Sequence, residues 1–463
     1  MKLRRTYIIL AVLLSFASAK LDARDSRYTR KGTGPQYWIG YEYCYDLNLP
    51  MTELRWQCNI DWVAKTFKDY GYDMISNDGW IEAAQTIDEN GYITKYNSSW
   101  EKGFSYWNRY IKNKGLKVGV YYNPLWMTKK AYDEDCPVAG SKVTARQIAG
   151  YHSFNDSLHW VDTDKPGAEQ WIKGYVRYFI NLGVTFLRID FLENYENNYG
   201  TERYAKALKW IMEEAGDELF LSLVMPNCYG HAETELKYGD MIRIDNDCFA
   251  GGWDFVSARN RGNARGNWPQ YDNVFDGMVA FSDVAAKGNM ILDGDFMRMN
   301  KLQSKEERQF LFSIMVMGGS ALAIADQYDT ADEDIEKIYQ NREMIELNQV
   351  GFVAKPISRD IHDINSSRWV GQMPDGDFVV GLFNREDKAL TYGIDFAAEL
   401  GIDGGKVKNV RDLWEHKDLG PMSGKFATEL APHSCCIIRI RPNAKRRYQA
   451  ECSSAIGASV RKG

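Results

Sequence analysis

The chain has 463 residues, 57 Lys and Arg against 63 Asp and Glu, and a formal net charge of −6. That length can hold a barrel and a smaller module, and the absence of a basic stripe excludes nucleic acid as a partner. Eight cysteines are too few for a disulfide scaffold, and the six histidines fall in no zinc-like spacing, so neither a metal nor a cofactor is expected.

At the start, Lys2, Arg4 and Arg5 precede an apolar run from Tyr7 to Phe16 and then Ala17-Ser-Ala19. A basic start, a short apolar middle and a small-residue end read as a secretory signal over residues 1–19, cut after Ala19. The run is well short of the roughly 20 residues a membrane span needs. The expectation is a secreted or periplasmic protein with no membrane span. Residues 20–33 read as a linker. Cys44 and Cys58 form a plausible bridge in such a compartment.

Between residues 34 and 350, short apolar runs alternate with amphipathic helical patterns, which predicts a parallel α/β fold. The predicted strands are Tyr37–Tyr43, Tyr72–Asn77, Leu116–Tyr121, Phe186–Asp190, Leu219–Val224, Met241–Asp245, Met290–Asp293 and Ala321–Asp326. Eight strands close a (β/α)8 TIM barrel. An open doubly wound sheet would want a Gly-rich phosphate turn after its first strand, and none is present. Helix signals agree: Thr201 is placed to cap a helix that Gly216 ends, Ser304 to Glu307 reads as a capping box, and Trp171, Tyr175, Phe179 and Leu182 form a stripe closed by Gly183.

From residue 351 to 442 the pattern becomes antiparallel. Trp369–Met373, the turn Pro374-Asp-Gly-Asp377 and Phe378–Phe383 predict a hairpin, and Ser434–Arg441 a later strand of a β-sandwich domain. Residues 443–463 read as a linker and the start of a further module. Asn97, Asn155 and Asn365 open tripeptides of the glycosylation pattern.

Two aspartates carry the chemistry. Asp190 ends the run Phe186-Leu-Arg-Ile-Asp, and Asp247 closes Met241-Ile-Arg-Ile-Asp-Asn-Asp. A carboxylate at a strand's carboxyl end is a common helix cap, but two on alternate strands of one rim can face each other across a glycosidic bond. That arrangement suits a sugar-cleaving enzyme acting on an oligo- or polysaccharide.

The order of segments resembles glycoside hydrolase family 27, the α-galactosidase family, over nearly the whole chain after the leader. The resemblance rests on Asn77-Asp-Gly-Trp80, Val118-Gly-Val-Tyr121, Arg188-Ile-Asp190, Arg243-Ile-Asp-Asn-Asp247, Leu292-Asp-Gly-Asp295-Phe-Met297 and Ala321-Leu-Ala-Ile-Ala-Asp326, with Val379 to Arg385, Val410 to Trp414 and Pro432-His-Ser434 beyond. It implies Asp190 as nucleophile and Asp247 as general acid/base of a retaining exo-α-glycosidase. It places Asp78, Asn77, Trp80, Tyr121, Arg188 and Arg243 around the sugar, Trp80 equally as a rim core residue. Tyr448-Gln-Ala-Glu451 resembles the start of a family 6 carbohydrate-binding module.

The departures bear on the sugar. Asn77 stands for the family's first aspartate, Arg188 for its lysine, and Val224 for the glutamate that holds the 2-hydroxyl in α-galactosidases. A valine cannot hydrogen-bond, and arginine is not equivalent to lysine. The expected activity is hydrolysis of terminal α-galactosides, with β-L-arabinopyranosides, α-N-acetylgalactosaminides or an α-glucan end as alternatives. A barrel that binds carbohydrate without cleaving it is the remaining rival.

Overall fold

The computed structural model describes residues 33–444 except 228–232, 263–267, 269–270 and 286–289. The predicted leader, its linker and the C-terminal module lie outside the described residues. The chain divides into two compact units between Val353 and Ala354.

The first unit opens with strands β1 (Gln36–Ile39), β2 (Met74–Ser76) and β3 (Lys117–Tyr121). An excursion of three further strands follows: β4 (Trp126–Thr128), β5 (Ala149–Asn155) and β6 (Leu158–Val161). The main sheet resumes with β7 (Val184–Ile189), β8 (Phe220–Leu223), β9 (Met241–Arg243), β10 (Ile291–Asp293) and β11 (Leu322–Ile324). Eight of these are hydrogen-bonded in parallel in the order β10-β9-β8-β7-β3-β2-β1-β11. Closure comes one turn beyond β10, where Met297 bridges Ile324: its N–H donates to Ala323 O at 2.8 Å, and Ala325 N–H donates to Met297 O at 3.0 Å.

All eight predicted strands are therefore present; most are trimmed at one or both ends, while β1 and β7 begin one and two residues earlier than predicted. Burial explains why they were readable: β1, β2, β9, β10 and β11 are buried at every residue, as parallel strands covered on both faces must be. Gly119 in β3 fits a close approach, since a Cβ there would stand 3.1 Å from the Phe186 ring and 3.2 Å from Ser76 Cβ, tighter than ordinary contact.

Four readings are corrected. The first strand stops at Ile39, and Glu42–Leu47 is a helix. Tyr41 and Tyr45, four apart, stack on one helical face with ring centroids 4.4 Å apart, so an aromatic run that suggested a strand follows helical spacing instead. The cap of helix Thr201–Ala215 is Gly200, with Thr201 its first residue. Glu307 Oε2 closes its turn by accepting from Gln303 N–H rather than from Ser304 N–H, while Ser304 Oγ accepts from Glu307 N–H as a cap should. Cys44 and Cys58 are free thiols. Cys44 Sγ is turned toward the Met51 backbone, and burial pushes its thiol up to about 12.

The second unit is antiparallel. β12 (Lys355–Pro356), β13 (Arg368–Gln372) and β14 (Phe378–Phe383) are followed by β15 (Leu390–Asp395), β16 (Lys406–Asp412), β17 (Lys417–Ser423), β18 (Lys425–Leu430) and β19 (Cys435–Pro442). Six form a sheet in the order β12-β13-β14-β19-β16-β17, and β15 pairs with β18. The predicted hairpin is β13–β14, with Gln372 opposite Phe378 and Gly376 at φ 94° in the turn. Its core gathers Val380, Leu382, Ile394, Phe396, Val410, Ile438 and Ile440.

Candidate active site

The carboxyl ends of the barrel strands surround a cavity of about 220 Å³, whose wall includes Asp78, Glu82, Tyr121, Arg188, Asp190, Arg243 and Asp247. Tyr41, Tyr45, Phe191, Met225, Phe249 and Phe296 complete it. The wall thus combines charged groups with aromatic side chains. Carboxylates and guanidinium groups bind hydroxyls, and aromatic faces accept the C–H side of a sugar ring.

Asp190 directly follows β7. Its Oδ1 accepts from Phe191 N–H at 2.6 Å and its Oδ2 from Tyr121 Oη at 2.7 Å. Asn123 Nδ2 donates to its backbone carbonyl at 2.7 Å. Phe191 holds φ 59°, ψ 33°, a left-handed conformation that costs free energy in a bulky residue and turns the chain sharply after the carboxylate. Burial, then the nearby Asp247 charge, push the Asp190 carboxyl up to about 6 against the bonds from Tyr121 and Phe191.

Asp247 follows β9 by four residues and is held by Arg243, whose Nη2 lies 2.7 Å from its Oδ1. Arg243 Nη1 also pairs with Asp295 Oδ1 at 2.7 Å. Asp295 Oδ1 meets Arg188 Nη2 at 3.0 Å, and Asp293 Oδ2 meets Arg188 Nη1 at 2.6 Å. Asp295 Oδ2 accepts from Cys248 N–H at 2.8 Å, one residue beyond Asp247. Arg188 and Arg243 are 2 % and 1 % exposed, so each buried cation depends on these carboxylates for charge compensation. Burial pushes the Asp295 carboxyl up to about 7 against the pull of Arg243 and Arg188.

Asp78 caps the 3-10 turn Gly79–Ala83, accepting from Gly79 N–H at 2.6 Å. Burial raises its carboxyl to about 6 although Arg188 pulls it down. Six of the eight predicted residues are thus brought to one wall: Asp78, Tyr121, Arg188, Asp190, Arg243 and Asp247.

Asn77 and Trp80 do not line it. Asn77 is fully buried, its Nδ2 donating to the Asp78 and Tyr121 carbonyls at 3.2 Å each and its Oδ1 accepting from Tyr121 N–H at 3.1 Å. The amide clamps β2 to β3 and has no donor left for a sugar. Trp80 donates from Nε1 to Gly40 O at 2.6 Å and packs with Trp56, Tyr96 and Trp100, so its ring belongs to the rim core.

Glu82 is a residue that sequence reasoning missed. It lines the cavity, and Tyr121 Oη lies 3.0 Å from its Oε1. Asp293 and Asp295 were visible as a motif, but their pairing with the distant Arg188 and Arg243 was not. Val224 is buried, and the adjacent Met225 lines the cavity with φ 52°. An apolar side chain therefore borders the cavity after β8. Among the described residues, no group of three or more His, Cys, Asp or Glu is arranged to hold a metal ion.

Residues 364–440 match the alpha galactosidase C-terminal beta sandwich domain. An isomalto-dextranase of Arthrobacter globiformis is 42 % identical over 466 residues, covering 93 % of this chain and 71 % of the relative. The chain belongs to glycoside hydrolase family 27. Other family 27 comparisons agree on the fold. The solved isomalto-dextranase from Arthrobacter globiformis T6, complexed with panose, superposes with a TM-score of 0.85 at 41 % identity over 90 % of this chain and 74 % of its own. A family 27 β-L-arabinopyranosidase from Geobacillus stearothermophilus gives 0.75 at 21 % identity over 90 % of this chain and 99 % of its own. Alpha-galactosidase 2 of Arabidopsis thaliana is 24 % identical over 82 % of this chain and 85 % of its own. Family 27 membership makes the protein a glycoside hydrolase with a TIM barrel and a C-terminal β-sandwich.

Proposed function

We propose that the protein is a secreted, retaining α-glycosidase acting on α-glucan of the dextran type, with Asp190 as nucleophile and Asp247 as general acid/base. The observation that carries this reading is the 42 % identity with an isomalto-dextranase, against 24 % with an α-galactosidase of similar coverage. The site supports it. Val224 stands where the resemblance gives α-galactosidases a glutamate, and Met225 beside it lines the cavity, so this wall departs from the α-galactosidase pattern. Residues 1–19 fit the same reading as an export signal, since a polymer must be met outside the cell.

The chemistry is a double displacement. Asp190 attacks the anomeric carbon while Asp247 donates its proton to the departing glycosidic oxygen. A glycosyl ester on Asp190 forms. Asp247, now a carboxylate, takes a proton from water, which attacks the ester and releases the sugar with its original anomeric configuration. Arg243 holds Asp247, and the backbone N–H of Phe191 and the Tyr121 hydroxyl hold Asp190.

The test is to incubate the protein, in parallel, with dextran and with nitrophenyl α-galactoside, and to separate the products by chromatography. Short α-1,6-linked glucose oligosaccharides from dextran, with the galactoside intact, are the expected result. Turnover of the galactoside with dextran untouched would overturn the glucan assignment and restore α-galactoside specificity.

A further inference from the structure

Tyr121 has one hydroxyl proton and faces two carboxyl groups. Its Oη lies 2.7 Å from Asp190 Oδ2 and 3.0 Å from Glu82 Oε1. Two hydrogen bonds need two protons, and the phenol supplies one. Were both carboxyls ionised, one of the contacts would set lone pair against lone pair at hydrogen-bond distance. One carboxyl must therefore carry the second proton.

The surroundings decide which. Asp190 also accepts from Phe191 N–H and feels the Arg188 charge, both of which favour its ionised form. Glu82 has neither. From its own turn it faces Asp78, from β7 it faces Asp190, from β3 Tyr121, and from helix Glu42–Leu47 the Tyr45 hydroxyl. The two cations of the cavity wall are engaged elsewhere, Arg188 by Asp293 and Asp295, and Arg243 by Asp295 and Asp247.

We propose that Glu82 is a positioning residue that carries a proton in the active enzyme, donates it to Tyr121 Oη, and so commits the Tyr121 hydroxyl as a donor to the nucleophile Asp190. The order of donors is Glu82 O–H to Tyr121 Oη, then Tyr121 O–H to Asp190 Oδ2. The relay holds the nucleophile in one rotamer, with Oδ1 pinned by Phe191 N–H. Burial, then the Asp190 charge, push the Glu82 carboxyl up to about 8, which agrees with the protonated form at neutral pH. When that proton is lost to solvent at high pH, Glu82 becomes a second acceptor competing for the single Tyr121 proton. It also places a like charge beside Asp190. The nucleophile loses its donor for part of the time, and turnover falls. Glu82 therefore contributes an alkaline limb to the pH profile separate from the one due to the general acid.

The proposal rests on Asp190 as the nucleophile, and the experiment separates the two. The kcat/KM profile is measured from pH 5 to 10 with nitrophenyl α-isomaltoside, whose good leaving group relaxes the demand on Asp247. The proteins are wild type, Glu82→Gln and Tyr121→Phe, with Asp190→Asn as reference. An inactive Asp190→Asn with an alkaline limb moved up by about one pH unit or more in Glu82→Gln is the expected result, because the amide donates at every pH. Tyr121→Phe should keep only the part of that limb due to the Glu82 charge, since no relay remains to be broken, and it serves in place of Glu82→Gln should that variant not fold. The infrared absorption of protonated carboxyls at pH 7 should lose one component in Glu82→Gln. An unmoved limb or an unchanged absorption, with Asp190→Asn inactive, would overturn the role of Glu82 alone. Full activity in Asp190→Asn would overturn the nucleophile, and the relay with it.

Discussion

One barrel carries a cavity at each end, and the larger is at the wrong end for chemistry. The cavity at the amino ends of the strands measures about 410 Å³, against about 220 Å³ at the carboxyl ends. Its wall is built from Pro35, Met74, Thr185, Phe186, Leu219 and Phe220, with Asp73, Lys117, Asp217, Glu218 and Asp240 at the edge. Its Lys117–Asp73 pair is solvent-exposed. At the carboxyl end two arginines are buried among carboxylates, and Phe191 and Met225 hold positive φ. Volume separates the two ends poorly. What separates them is charge buried at a cost, and strained backbone at the same place, which marks a site kept for function.

The comparison can be broken most directly at Asp190. Asp190→Asn should lower kcat/KM on dextran by about 10⁴-fold or more while substrate still binds, as expected for a missing nucleophile. Steady-state kinetics with isothermal titration of a dextran oligosaccharide would check both halves. Asp247→Ala should follow, with a loss of about 10²- to 10⁴-fold on dextran and a much smaller one on an aryl glycoside. Equal losses on both substrates would remove Asp247 from the role of acid.

Asp295 tests the network behind the pair. It compensates Arg188 and Arg243 and takes the Cys248 N–H. Asp295→Asn leaves two buried cations sharing the remaining partners, which should cost about 3 kcal/mol of stability. Arg243, less firmly placed, should hold Asp247 less well, so activity should fall along with the melting temperature. Calorimetry and kinetics on the same variant would show whether both move.

Much of this end was legible in the sequence, for a physical reason. Strands buried on both faces are continuous apolar runs, so all eight could be located, and a carboxylate that ends such a run stands out as Asp190 and Asp247 do. Glu82 was not legible. It sits in a 3-10 turn of five residues with no periodicity, and only the return of Tyr121 from β3 gives it a partner. The family motif implied Asn77 beside Asp78 at the sugar and left Trp80 equally a rim core residue. The backbone turns between them, however, so Asp78 points into the cavity while Asn77 clamps strands and Trp80 packs into the rim. The excursion β4–β6 went unread because β4 and β6 have only 3 and 4 residues, and the 7 residues of β5, AGYHSFN, show no regular apolar alternation. Ion pairs across a hundred residues, such as Arg188 with Asp293, leave no local trace.

Stability against pH sharpens the contrast. Asp78 has a folded-state pKa raised to about 6 from 3.8, with burial the largest cause. A raised carboxyl binds more protons folded than unfolded between these values, so stability falls as pH rises from about 4 to about 6 and stays lowered above. Asp78→Asn mimics the neutral form and can keep the bond from Gly79 N–H. It should therefore be more stable than wild type at pH 7.5 by about 1–2 kcal/mol, seen as a higher melting temperature. The difference should vanish below pH 4, and activity should drop. Melting curves at the two pH values are the check, and a variant less stable at pH 7.5 would mean that Asp78 is held chiefly by Arg188.

The smallest effect is expected at the other end, which makes it the sharpest control. Lys117 Nζ and Asp73 Oδ2 are 2.7 Å apart, with side chains 60 % and 43 % exposed. An exposed pair contributes at most about 1 kcal/mol, because water screens it and two flexible side chains must be ordered to form it. Lys117→Ala should therefore shift the melting temperature only slightly and leave kcat/KM on dextran within about twofold of wild type. The same charge removed at the carboxyl end, as in Arg243→Ala, should strand Asp247 and Asp295 and cost both fold and function. If Lys117→Ala instead lowered turnover as Asp295→Asn does, the two ends of the barrel would be coupled, and assigning function by buried charge would fail at its first control.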